Sequence, residues 1–192
     1  MMKKVVITGG HFTPGFAVIE AFKKKGGWEV FWIGDKEGLE AKVLPKLNIP
    51  FWHIDAPRFQ RKFPIRSIFG FWRLGLAFLQ SFKILFKIKP DALLSFGGYI
   101  SLPVVASAWV LRVPVVIHEQ TSRAGLANRI GAYFSRFVCV SLEESGKFFP
   151  RGRIYVTGNP VREQVWRILR PKGVKKNDGD FVFYVTGGSR GA

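Results

Sequence analysis

Along most of this chain, short β-branched and aromatic runs alternate with longer stretches in which apolar residues recur at helical spacing. The runs Val5–Thr8, Glu29–Ile33, Phe51–Ile54, Ala92–Ser95, Val115–His118, Phe137–Val140 and Tyr155–Thr157 read as strands. Between them, Gly15–Lys25 is the clearest amphipathic segment. Val18, Ile19 and Phe22 share one helical face, with Phe16 at its edge. Alternation of this kind predicts an α/β fold: a Rossmann-like, doubly wound parallel sheet with helices on both faces.

The pattern breaks at Arg170-Pro171. Residues 170–180, RPKGVKKNDGD, are polar, hold Gly and Pro, and show no periodicity, so they read as a linker. Beyond them FVFYVTGGSRGA (181–192) repeats the device of KKVVITGGH (3–11), an apolar run feeding a Thr-Gly-Gly turn. The expected organisation is one domain over 1–169, a linker, and the first strand and glycine loop of a second domain over 181–192. On that reading the chain is an incomplete copy of a two-domain protein.

Composition narrows the partners. Lys and Arg number 30 against 13 acids, a formal charge of +17, so an anionic partner is expected: nucleic acid, a phosphorylated small molecule or an acidic lipid surface. The single cysteine, Cys139, excludes an internal disulfide framework and suits a reducing cytosol. The first eight residues form a short apolar strand rather than the core of a signal peptide.

Four segments carry candidate chemistry. Thr8-Gly9-Gly10-His11, with Pro14 near a helix start, suits close approach of an anion, and a neutral His11 imidazole at the rim can accept a proton from a hydroxyl. A plain strand-turn-helix with an incidental histidine is the alternative. Phe96-Gly97-Gly98-Tyr99-Ile100-Ser101 follows a strand at its carboxyl end, where ligands bind in open α/β sheets. In VVIHEQTSRAGLANR (115–129), His118, Glu119 and Gln120 emerge from an apolar strand. Thr121 or Ser122 is expected to cap the next helix, and Glu119 to orient His118 or accept from a sugar hydroxyl. In Thr157-Gly158-Asn159-Pro160-Val161-Arg162 a rigid turn leads to an arginine in the first turn of a helix, where a cation is expected to answer a nearby anion.

Taken in order, TGGH, WIGDKEGLEAKVLPKLNIPF (32–51), FGGYIS, VVIHEQTSRAGLANR, TGNPVR and GGSRGA resemble the MurG family, bacterial glycosyltransferases of peptidoglycan synthesis. The likeness runs over essentially the whole chain. It implies the GT-B fold, two Rossmann-like domains facing across a cleft, of which this chain supplies the amino-terminal half. It also implies inverting transfer of N-acetylglucosamine from UDP-GlcNAc to the muramoyl 4-hydroxyl of undecaprenyl-linked lipid I, yielding lipid II, at the cytoplasmic face of the plasma membrane.

Carried onto matching positions, Thr8, Gly9, Gly10, Arg162 and Ser189 fall to the donor and its diphosphate. Gly97, Gly98, Tyr99, His118, Glu119 and Gln120 fall to the acceptor side. His11 becomes the candidate base, with Glu119 as runner-up. The sequence departs from the family in three places. Its first loop lacks the longer glycine run, Thr121 stands where the family has Asn after HEQ, and nearly all of the second domain is missing. Such a reaction needs no cofactor, and no DxD motif or clustered metal-ligand set is seen; Asp35 and Glu37 flank Lys36 without His or Cys.

Residues 58–89 hold Arg58, Arg61, Lys62, Arg66, Arg73, Lys83, Lys87 and Lys89, no acid, and eight interleaved aromatics. Arg73 and Lys83 interrupt the roughly 20 apolar residues that a span needs, so the segment suits an anionic membrane surface rather than a crossing. An ordinary core helix with a basic solvated face is the alternative. Two other functions compete: the acceptor subunit of a split transferase, and a basic nucleic-acid-binding α/β protein. No DNA- or RNA-binding motif appears, so nucleic acid is not expected as a partner. A nicotinamide site is disfavoured because the third glycine of its fingerprint is not at the required spacing.

Overall fold

The computed structural model describes residues 2–57 and 66–169. The expected linker, the strand and glycine loop over 181–192, Ser189 within it, and the first basic residues of the 58–89 segment lie outside the described residues.

Seven parallel strands form one sheet in the order β3-β2-β1-β4-β5-β6-β7. They are β1 (Lys3–Thr8), β2 (Trp28–Gly34), β3 (Phe51–His53), β4 (Ala92–Ser95), β5 (Val115–Glu119), β6 (Phe137–Val140) and β7 (Ile154–Val156). Each lies within a residue or two of its predicted run. Parallel neighbours cannot be joined by a tight turn, so each connection crosses a face of the sheet. The crossovers carry α1 (Phe12–Lys25), α2 (Leu39–Val43), α3 (Arg66–Ile88), α4 (Ser101–Val110) and α5 (Leu126–Gly131), and α6 (Glu163–Leu169) follows β7.

Strand alternation divides the core in two. Val5 and Ile7 of β1, with Val30 and Trp32 of β2, face Phe16 and Ile19 of α1. Val6, Phe31, Ile33, Leu93 and Ile117 face the other way, against Ala77 and Leu85 of α3 and Val104, Val105 and Ala108 of α4. The sheet is therefore covered on both sides, and this doubly wound arrangement is what the sequence pattern predicts.

Helix α3 buries one stripe and bares the other. Ala77, Ser81, Leu85 and Ile88, spaced at i, i+4, i+8 and i+11, are buried against the sheet and α4. Trp72, Leu76, Leu79 and Phe86 are 71%, 42%, 54% and 61% exposed. They share their surface with exposed Arg73, Lys83 and Lys87. No helix among the described residues is long and apolar enough to cross a membrane.

Candidate functional site

The strand order reverses between β1 and β4, which pair from Val5↔Ala92 to Thr8↔Ser95. Their following loops must diverge to opposite faces of the sheet, and that divergence opens the crevice in which α/β proteins bind ligands. Both glycine loops predicted from sequence lie there, one after each strand.

The loops are packed on each other. The Phe96 amide donates to the Thr8 carbonyl at 2.8 Å, and the Gly10 amide donates to the Gly97 carbonyl at 2.9 Å. Gly9 adopts φ +141°, and a Cβ there would sit 2.9 Å from the Phe96 carbonyl carbon, so this crossing demands glycine. Gly97 has φ +74°, and a Cβ there would lie 2.7 Å from Asn128 Oδ1. Because the Gly10 amide is spent on Gly97, the glycine pair shapes the loop. The first turn of α1, whose Phe12 and Thr13 line the crevice, has no side-chain cap.

Glu119 supports this arrangement from beneath. The residue is 4% exposed. Its Oε1 accepts from the Thr121 amide (3.0 Å) and the Thr121 hydroxyl (2.7 Å). Its Oε2 accepts from the Gly125 amide (3.0 Å) and Asn128 Nδ2 (2.9 Å). Burial alone would push the carboxyl upward, but these four donors together outweigh it and hold the pKa below the usual value. Asn128 Nδ2 also reaches the His118 carbonyl at 3.2 Å, which fixes the carboxamide under Gly97.

Two sequence expectations need correction here. Thr121 and Ser122 do not cap a helix: α5 begins at Leu126, Gly125 is its N-cap, and no side chain caps it. The Thr121 hydroxyl serves the buried carboxylate instead. Nor does the Glu119 carboxylate orient the His118 ring, since among the described residues its partners are Thr121, Gly125 and Asn128. His118 turns inward beside Phe96, ring centroids 5.4 Å apart, and its Nε2 meets the Gly158 carbonyl at 3.0 Å. Among the described residues its buried Nδ1 has no partner, and burial lowers its pKa, the Gly158 bond and Glu119 opposing less strongly.

A cleft of about 330 Å³ opens above the loops. Of the predicted residues it gathers Gly10, His11, Gly98, Tyr99 and Gln120, and it adds Asp35 and Glu40, whose roles the sequence did not disclose. The Tyr99 hydroxyl donates to Asp35 Oδ2, tying the β4–α4 loop to the β2–α2 loop across the cleft. His11, though exposed at the rim, has enough protein around its ring that burial lowers its pKa; the charge of Glu119 opposes this more weakly. Thr8, Gly9, Gly97, His118 and Glu119 lie beneath the cleft rather than on its wall.

Arg162 stands immediately before α6, and its expected anion is internal. Its Nε and one terminal nitrogen donate to Glu20 Oε1 at 3.2 and 3.1 Å, and the guanidinium covers the Phe16 ring at 4.8 Å. With Lys24–Glu163 at 3.3 Å, this pins the segment after β7 to α1. No group of three or more His, Cys, Asp or Glu among the described residues could hold a metal ion.

Comparison with known proteins adds identity to this geometry. Residues 6–139 match the glycosyltransferase family 28 N-terminal domain. A UDP-N-acetylglucosamine–N-acetylmuramyl-(pentapeptide) pyrophosphoryl-undecaprenol N-acetylglucosamine transferase of Legionella pneumophila is 37% identical over 200 residues, covering 100% of this chain and 55% of that protein. A Bacillus cereus enzyme of the same name is 35% identical over 201 residues, covering 100% and 56%. The chain thus spans about half the length of the curated relatives it matches. Among solved structures, MurG of Acinetobacter baumannii superposes with TM-score 0.69 at 29% identity over 84% of this chain and 46% of that one. A Neisseria meningitidis UDP-GlcNAc 2-epimerase, TM-score 0.61 at 17% identity over 83% and 47%, shares the fold.

The shifted groups predict the acid response. His11 and His118 have folded pKa values below their unfolded ones, so unfolding takes up protons and stability falls as pH drops below about 6.5. Glu119 contributes stability that is present above its unfolded value and lost as pH falls below about 4.3. Glu119→Gln should cost about 2 kcal/mol at neutral pH and flatten the lower limb of urea midpoint against pH. An unchanged limb would refute the assignment.

Proposed function

The chain belongs to glycosyltransferase family 28, and on that premise we propose that it forms the acceptor-binding half of an inverting transferase. The enzyme moves N-acetylglucosamine from UDP-GlcNAc to the muramoyl 4-hydroxyl of lipid I, giving lipid II for peptidoglycan. One observation carries the reading: His11, its pKa lowered by burial, stands on the wall of the cleft at the sheet's switch point, beside the uncapped start of α1.

Inverting transfer develops positive charge at the sugar carbon while the nucleoside diphosphate departs. The free amides in the first turn of α1 and the helix dipole stabilise the negative charge that accumulates on the diphosphate. His11 accepts the proton of the attacking 4-hydroxyl as the new glycosidic bond forms. Between the two candidate bases the geometry favours His11, because the Glu119 oxygens are already filled by four donors. Glu119 acts as a positioning residue for the loops. Tyr99 and Gln120 face the acceptor side of the cleft. Arg162, held by Glu20, positions the segment leading toward the donor half rather than the diphosphate itself.

The membrane supplies the acceptor, and α3 offers a surface for it at the cytoplasmic face. Trp72, Leu76, Leu79 and Phe86 are exposed beside Arg73, Lys83 and Lys87, a combination suited to an interfacial helix on an anionic leaflet.

Two outcomes follow. His11→Ala, in a chain that also carries the donor half, should lower kcat by about 10²–10⁴ with little change in donor KM. The acid limb of the wild-type kcat/KM profile should lie below about pH 6.5; an unaltered kcat would sink the base assignment. In vesicle sedimentation, the pair Trp72→Ala and Phe86→Ala should weaken binding to phosphatidylglycerol vesicles at least about tenfold. Equal recovery of the wild type on anionic and zwitterionic vesicles would contradict the membrane surface.

A further inference from the structure

The cleft lies at the carboxyl ends of the strands, yet three arginines without a carboxylate partner among the described residues gather at their amino ends. Arg112 closes the turn after α4 and precedes β5, Arg136 immediately precedes β6, and Arg153 immediately precedes β7. The three border one open cavity of about 300 Å³, walled by Trp109, Tyr133 and Phe134, with no acidic residue in its lining.

Two of the three guanidiniums have defined neighbours. The Arg153 guanidinium donates to the Ser135 carbonyl at 3.1 Å. Arg136 lies over the Phe137 ring at 5.5 Å, and that ring in turn meets Tyr155 edge-on at 5.5 Å. Arg112 sits at φ +57°, a left-handed conformation that ends α4 and turns the chain into β5. Trp109 packs edge-on against Phe134 at 5.3 Å while staying 56% exposed, and Tyr133 is 74% exposed. Among the described residues no carboxylate pairs with any of the three guanidiniums. Guanidinium forks match phosphate oxygens in pairs, and exposed aromatic faces favour the apolar body that carries the phosphate.

We propose that this cavity is a second anion site, which binds a phosphate ester on an apolar body through Arg112, Arg136 and Arg153. It is separate from the transfer cleft and does not depend on the transferase reading. The phosphate has two possible sources, a phospholipid headgroup or a soluble phosphate ester, and both present the same oxygens.

The test uses the full chain and two probes. Inorganic phosphate is titrated while backbone amide shifts at 112, 136 and 153 are followed by NMR, and binding to phosphatidylglycerol vesicles is measured by sedimentation. The triple variant Arg112→Gln, Arg136→Gln, Arg153→Gln is compared with Lys25→Gln, Lys42→Gln, Lys46→Gln, which removes the same charge from exposed positions elsewhere. The wild type should show saturable shifts at the three arginines. The arginine triple should weaken phosphate at least about tenfold relative to the lysine triple, the loss of charge-assisted bonds. A parallel loss on vesicles assigns the phosphate to lipid; vesicle binding equal in the two triples assigns it to a soluble ester. Absence of saturable shifts, or equal loss of phosphate binding in both triples, overturns the site. Should Arg153→Gln fail to fold for want of its Ser135 bond, Arg112→Gln and Arg136→Gln, which break no intramolecular hydrogen bond among the described residues, carry the same comparison.

Discussion

The architecture of this site depends on one buried carboxylate. Glu119 leaves the end of β5 with almost no solvent to satisfy it, and four donors converge on its two oxygens. An ionised carboxylate so buried would be expelled or protonated without them. Meeting that demand fixes the path of residues 121–125 and fastens Asn128 beneath Gly97. Gly97 in turn accepts the Gly10 amide, so the brace reaches the first glycine loop and the start of α1. Remove the carboxylate's charge and each of these positions loses its reason.

From that constraint the functional reading follows in steps. The sheet's reversal between β1 and β4 makes a crevice, the brace sets the loops that floor it, and α1 presents uncapped amides at one side. His11 stands where those amides begin, its pKa lowered by the protein around it. The +17 charge is then not one undifferentiated field. Part of it lies on the exposed ridge of α3 and part around the cavity at the amino ends of β5, β6 and β7, while Arg162 and Lys24 are absorbed by internal carboxylates. Membership of glycosyltransferase family 28 agrees with the Rossmann-like sheet and the crevice at its switch point.

Much of this was legible in the sequence, and the reason differs by feature. The central strands were visible because parallel strands buried on both faces read as apolar runs, while the edge strands β3 and β7, only partly buried or exposed, still carry aromatic and β-branched residues. The glycine loops were visible because crossing chains leave no room for a Cβ. What escaped were pairings between distant residues. Nothing local shows that Arg162 would meet Glu20, 142 positions away, or that Tyr99 would reach Asp35. The capping role expected of Thr121 and Ser122 failed for a related reason: local preference suggests a cap, but a buried carboxylate two residues upstream makes the stronger demand. Asn128 drew no role of its own in the sequence, whereas its carboxamide is the piece that joins Glu119 to Gly97. A polar side chain 4% exposed on the inner side of a short helix would have signalled this, but burial is a property of the fold.

The central claim is that the Glu119–Asn128 brace holds the two glycine loops together. Native-state hydrogen exchange of the Gly10 amide, whose partner is the Gly97 carbonyl, measures it most directly in wild type and in Asn128→Ala. The account predicts exchange at Gly10 at least about tenfold faster in the variant, with β1 and β4 amides unchanged. An unchanged rate at Gly10, or equal acceleration across the whole sheet, would contradict it.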